Sequence, residues 1–223
     1  MEKRFIKPQW ALIGIFGAVW GLSEALLGMW LRSCASFASG SIMTGVAFFF
    51  IAATWIVSQR ALGVVLLVVI ASFFKLFDAL LLSLPIQNGA VANPIYAFMM
   101  EGAAFLCLIV ILHEGLKKKI PGQAALGGIS ALVAANLFPL VKYVTGVSAC
   151  VFPGTSYPLS LYYIPIAVGL SLITVPAGVW VGTKLEALEV KLKIKHYYQR
   201  IHYLISPATL ILCLVILAIV RLG

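Results

Sequence analysis

Seven apolar runs of membrane-crossing length, near residues 9–31, 41–57, 61–84, 94–112, 123–147, 159–182 and 206–222, leave this 223-residue chain little sequence with which to build anything else. A helix needs roughly 20 apolar residues to cross a hydrocarbon core about 30 Å thick, and each run is of that order. The runs are continuous and lack the alternation of polar and apolar positions that marks a membrane barrel. Backbone polar groups in lipid must be satisfied within their own segment, so such runs become helices. The expected fold is one all-α integral membrane domain over residues 1–223, a bundle of about seven transmembrane helices with membrane lipid as its solvent.

Composition agrees, since 62% of residues are hydrophobic and 10% charged, against about 25% charged in an ordinary soluble domain. The first run is not followed by a small-residue cleavage site, so it is expected to stay in the mature chain. A net charge of +9 would point to nucleic acid in a soluble protein. Here the basic residues fall in short connections, where they set orientation instead, and no nucleic-acid partner is implied. With the N-terminus inside, cytoplasmic segments hold Lys3, Arg4, Lys7, Arg60, Lys117, Lys118, Lys119, Lys184, Lys191, Lys193, Lys195 and Arg200, and outer segments hold Arg32 and Arg221. The expected location is the cell (inner) membrane, multi-pass, N-terminus cytoplasmic and C-terminus outside.

Lys75 and Lys142 complete the sixteen basic residues, and both fall inside spans, as do Glu24, Asp78 and Glu101. At about 1.5 Å per residue from the inner end of each span, Glu24 rises roughly 22 Å, Lys75 roughly 21 Å, Asp78 roughly 25 Å and Glu101 roughly 17 Å. All four belong to the outer half of the bilayer, and Lys142 stands nearer the outer surface, with Pro139 one turn earlier able to kink its helix. An ionised side chain in hydrocarbon costs at least about 2.5 kcal/mol, so these groups must face protein or a polar cavity.

Spacing says which way they point. Gly14, Gly17, Gly21, Glu24 and Gly28 follow one another at three- and four-residue intervals along a single helix face, with Ala18 and Ala25 beside them. Small residues let helices approach closely in lipid, so this face packs on protein and Glu24 looks inward. Pro94, Ala97, Glu101 and Ala104 repeat the pattern in span four. In span five Gly128, Ala131, Ala135, Pro139 and Lys142 line up, with Asn136 adjacent. Lys75 and Asp78, three residues apart, can neutralise each other. Glu24 and Glu101 then remain a carboxylate pair, which favours a cationic or amine-bearing ligand or a retained proton. The functional reading is an outward cavity that binds a small polar or charged solute through Glu24, Lys75, Asp78, Glu101, Asn136 and Lys142. The structural alternative is a set of ion pairs that fix helix register.

Cys34 in LRSCASFASG and Cys150 in SACVFPGTSYP fall in outer connections. They are read either as a disulfide or as two free thiols, while Cys107 and Cys213 fall in spans as packing residues. The uncharged connection SLPIQNGAVANP, residues 83–94, and the segment ACVFPGTSYP are potential lids over the cavity. KLEALEVKLKIKHYYQRIHYL, between spans six and seven, is too polar to cross the membrane. Leu185, Leu188 and Leu192 give it the pattern of a basic amphipathic helix lying in the cytoplasmic interface. No Walker motif, GxGxxG, CxxC, HExxH or serine-nucleophile context occurs, so no enzyme activity, catalytic residue or metal site is expected, and no cofactor is indicated.

A small multi-span protein with an outward polar pocket, a small-residue stripe on span one and no energy module resembles the substrate-binding S components of energy-coupling-factor (ECF) importers. The stretches GAVWGLSEALLG and PIYAFMMEGAAF, within residues 9–112, are also similar to an uncharacterised family of small bacterial and archaeal membrane proteins with S-component-like organisation. The resemblance implies transport by a multi-subunit complex, with a membrane coupling subunit and ATPases as partners. It also implies that Gly14, Gly17, Ala18, Gly21 and Ala25 serve as the contact surface for the coupling subunit. S components usually have six spans where this chain has seven. A different class of reading is a non-transporting membrane anchor or assembly subunit of a larger complex.

Overall fold

The computed structural model describes residues 10–31, 36–112, 119–146, 151, 156–157, 159–193 and 196–222. Among them there is no β-strand, and the helices follow the apolar runs: α1 (Trp10–Leu31), α2 (Ser36–Ser58), α3 (Ala61–Leu81), α4 (Gly89–Ile111), α5 (Ile120–Leu137), a 3₁₀ turn (Phe138–Leu140), α6 (Val141–Thr145), α7 (Leu159–Lys193) and α8 (His196–Leu222). Among the described residues seven segments are long and apolar enough to cross a membrane, the fifth running from α5 through α6.

Local chemistry sets the helix ends. Between α2 and α3 only Gln59 and Arg60 intervene, Gln59 with a left-handed φ of 50°. The Ser58 hydroxyl donates to the Arg60 carbonyl at 3.2 Å and accepts from the Arg60 amide at 3.4 Å. That tight reversal makes the two helices neighbours. The uncharged connection expected over residues 83–94 is half consumed by α4, because the Asn88 side chain accepts from the Ala90 amide at 2.9 Å and starts the helix at Gly89, the ordinary action of an N-capping residue. Span five is not one continuous helix. At Phe138–Leu140, around Pro139, it tightens into a 3₁₀ turn, and α6 ends at Gly146 with φ of 73°.

Glycines bring the helices together. A Cβ at Gly17 would stand 2.8 Å from Ile70, and one at Gly21 would stand 2.6 Å from Phe74, so α1 lies directly on α3. A Cβ at Gly14 would strike the Ser206 hydroxyl of α8. Gly178 and Gly182 of α7 rest on the carbonyls of Phe49 and Ala53 in α2, and Gly127 of α5 rests on the Ser171 carbonyl of α7. Water provides no drive to associate inside lipid, so such backbone approach supplies the van der Waals contact that holds a bundle. The large side chains Trp20, Phe48 and Phe105 are fully buried at its centre.

Two expectations need correction. The stripe Gly14, Gly17, Ala18, Gly21 and Ala25 is a packing surface, but all five residues are buried by the chain's own α3 and α8. The physical reason is the seventh span: Ala18 and Ala25 share an apolar cluster with Phe74 of α3 and with Cys213 and Leu217 of α8. This face is not open to another subunit. Nor does a separate amphipathic helix appear over residues 183–205. Its first part continues α7, and its last part begins α8. Nothing after Gly182 breaks the helix, so α7 runs 35 residues, roughly 52 Å against a hydrocarbon core of about 30 Å. Leu185 packs on the chain's own core, and Leu188 is exposed.

Candidate functional site

Above the central core, one end of the bundle holds a cavity of about 350 Å³. It is walled by the C-terminal turns of α1, α3 and α8, by the N-terminal turns of α2, α4 and α7, and by Phe138 of the 3₁₀ turn. Glu24, Lys75, Asp78 and Glu101 all line it, and each is at least nine-tenths buried. Helix geometry brings them there. Glu24 follows Gly21 by three residues on the face that packs against α3, and Gly28 lies one turn further. A Cβ at Gly28 would stand 3.3 Å from the Met43 methyl and, at ordinary contact distance, 4.0 Å from the Lys75 ammonium.

Lys75 lies 3.6 Å from Asp78, the expected pairing at a three-residue interval. Asp78 has a stronger partner. Arg221 of α8 donates from Nε to Oδ1 and from Nη2 to Oδ2, the latter at 2.9 Å, and Nη2 also reaches the Ala25 carbonyl at 3.3 Å. Fork-shaped contacts of this kind are the strong form of an ion pair. One side chain thus joins α8 to α3 and α1.

The other two carboxylates are placed differently. The Thr44 hydroxyl of α2 is a polar neighbour of Glu101. Glu24 makes no hydrogen bond or ion pair among the described residues. Its electrostatic neighbours are Lys75 and Glu101. Three carboxylates and two cations line the space, which leaves one negative charge in excess. Two further polar atoms on the wall lack partners among the described residues: the Ser160 hydroxyl, on a residue 1% exposed, and Asn93 Oδ1. Met43, Phe98 and Phe138 supply apolar wall, and the Trp20 ring packs on Phe98 with centroids 4.8 Å apart just below.

Asn136 and Lys142 are not in the cavity. Both are exposed: the Asn136 amide donates to the Leu132 carbonyl at 2.8 Å, and the Lys142 ammonium stands 4.8 Å from the centre of the Tyr143 ring. Asn136 lies about 80° around α5 from Gly128 at about 100° per residue, off the stripe of Gly128, Ala131 and Ala135, and Lys142 comes after the helix is interrupted at Phe138–Leu140. Cys107 is exposed and Cys213 is buried. Cys34 and Cys150 lie outside the described residues, as does most of ACVFPGTSYP, whereas Leu84 and Gly89 of the earlier connection do touch the cavity.

Sequence reasoning passed over Arg221, Thr44, Asn93 and Ser160. Arg221 looked like a connection charge, although its long side chain can reach back from a helix end. The others belong to residue types too common in transmembrane helices to stand out. Comparison of the chain with protein-family models, with curated proteins and with solved structures gave no match.

Proposed function

We propose that this protein is the solute-binding membrane subunit of an importer, holding a small polar or charged molecule in the cavity around Glu24. The observation that carries this reading is the state of Glu24: a buried carboxylate without a bonding partner among the described residues, on the wall of a space large enough for a ligand. Ligand pockets span about 300–1,000 Å³, with a few convergent polar groups on a largely apolar lining. A layer built only to fix helix register has no use for an unpartnered acid, because a buried charge left alone is costly. The basic-residue asymmetry orients this end of the bundle outward. The chain supplies no energy module, so movement of the solute falls to partner subunits, as in the ECF importers it resembles.

Since α8 covers the small-residue face of α1, docking of a coupling subunit falls to another surface. Native mass spectrometry of the purified protein, released from lipid, tests the reading. A stoichiometric small molecule retained by the native protein and lost in Glu24→Gln supports it, and protein that is ligand-free under every extraction condition argues against it.

A second reading, an anchor or assembly subunit, is favoured by one feature. The C-terminal part of α7 outruns the membrane and exposes Lys184, Leu188 and Lys191. It serves either as a partner surface or, with the following basic segment, as an interfacial anchor. Co-isolation separates the two functions: ATPases and a coupling subunit accompany an importer, and redox or structural subunits accompany an assembly factor.

A further inference from the structure

The charges and unpartnered acceptors of this cavity define the chemical class of its occupant. We propose that the occupant is a compact organic monocation, a primary or secondary ammonium on a short apolar skeleton, whose N–H groups are received by Glu24 and Glu101. This rests on the solute-binding reading given above.

The first argument is charge. Asp78 is engaged by Arg221 and by Lys75, which leaves Glu24 and Glu101 as the acids facing the free space. Among the described residues the wall carries one formal negative charge when every acid is ionised, and one bound positive charge neutralises it. A zwitterion leaves the excess in place, an anion doubles it, and a dication reverses it. Net charge is penalised in a low-dielectric site, so the monocation is the stable choice.

The second argument is hydrogen bonding and is independent of the first. Ser160, 1% exposed with its hydroxyl unpartnered, and Asn93, with a buried and unpartnered Oδ1, both border the cavity. Asn93 Oδ1 and the Glu24 carboxylate can only accept, while the Ser160 hydroxyl can donate as well as accept, so acceptors outnumber donors. A buried acceptor without a donor is costly, so the fitting ligand brings N–H groups. The third argument is what does not converge. Among the described residues no three His, Cys, Asp or Glu side chains are grouped to hold a metal ion. An ammonium needs only two or three acceptors on one side, and its carbon skeleton fits the wall of Met43, Phe98 and Phe138. At about 350 Å³ the space lies near the lower end of small-molecule sites, which limits the skeleton to a short one.

The test is the melting temperature of the purified full-length protein in lipid nanodiscs, titrated with probes that differ in charge or N–H content on one skeleton. The probes are 2-phenylethylammonium, its N,N,N-trimethyl derivative, phenylalanine and 3-phenylpropanoate, with n-butylammonium as a second primary amine. The expected result is a saturable rise with the two primary ammonium ions and an apparent affinity at least about tenfold weaker for the trimethyl derivative, which has the charge without the N–H donors. Glu101→Gln, if it folds, weakens the ammonium response by about tenfold or more. The trimethyl comparison needs no variant. Equal response to the trimethyl derivative overturns the N–H assignment. Stronger response to phenylalanine or 3-phenylpropanoate overturns the monocation while leaving the solute-binding reading standing. No response to any probe at millimolar concentration overturns the monocation, while the solute-binding reading is decided by the native mass spectrometry above.

Discussion

The guanidinium of Arg221 grips the carboxylate of Asp78 from 143 residues away, closing α8 onto α3 beside the cavity. Of the window that carries α8 across the membrane, 11% is buried within the chain, against 56% for α2. A helix so lightly packed depends on its few specific contacts. Arg221 also reaches the Ala25 carbonyl of α1, so one residue sets both the depth and the rotation of α8.

Arg221→Met should destabilise the protein by about 3–5 kcal/mol, because it leaves Asp78 with only its longer contact to Lys75 in a buried site. The double variant Arg221→Met/Asp78→Asn should recover much of that loss, since neither half of the pair is then stranded. A double-mutant cycle on unfolding free energies measures the coupling. Additive effects would show that the two residues do not act as a pair.

Substitutions along α1 should separate by what lies opposite. A side chain at Gly21 meets the Phe74 ring at 2.6 Å, whereas one at Gly28 meets the flexible Met43 methyl at 3.3 Å across cavity space. Gly21→Val is therefore expected to cost about 1–3 kcal/mol by overpacking, and Phe74→Leu should relieve part of it. Gly28→Ala should leave the melting temperature nearly unchanged and affect only ligand response. Thermal melts of the three variants check the order.

Asn136→Leu and Lys142→Ala should each change stability by no more than about 0.5 kcal/mol and leave ligand response intact, because both side chains are exposed and away from the cavity. A loss of binding in either would return that residue to the site and contradict its outward placement. Ligand-dependent melting provides the measurement.

Topology can be read by labelling. With the four native cysteines replaced, Lys119→Cys should resist an impermeant maleimide in intact cells, and Tyr157→Cys should react, both positions being exposed. The reverse pattern would put the cavity at the cytoplasmic end and exclude capture from outside.

Much of this arrangement was legible in the chain because two signals survive any helix bundle: the length of apolar runs and the cost of charge in lipid. Glu24, Lys75, Asp78 and Glu101 could be assigned to one layer from their distances along straight helices, and they line one cavity. Lys142 misses the cavity because the alignment of span five takes it as one unbroken helix, and the segment Phe138–Leu140 interrupts it. Arg221 escaped for the opposite reason. A charge at the end of a span reads as a topological marker, and only packing reveals that its side chain turns back toward Asp78. The small residues of α1 announced a contact without naming the partner, since a glycine face fits another chain as well as it fits α3 and α8.

Chain order gives the Arg221 clamp a biosynthetic meaning. The ribosome delivers α3 to the membrane long before Arg221 is translated, so a nascent bundle carries Asp78 with only Lys75 for company, and Gly14 has no Ser206 against it. At that stage the described charges of the layer are three acids and a single base. The electrostatic identity of the pocket is thus settled by almost the last codon of α8, and a chain stalled before it presents a different, more acidic cleft that is open along the seam where α8 belongs.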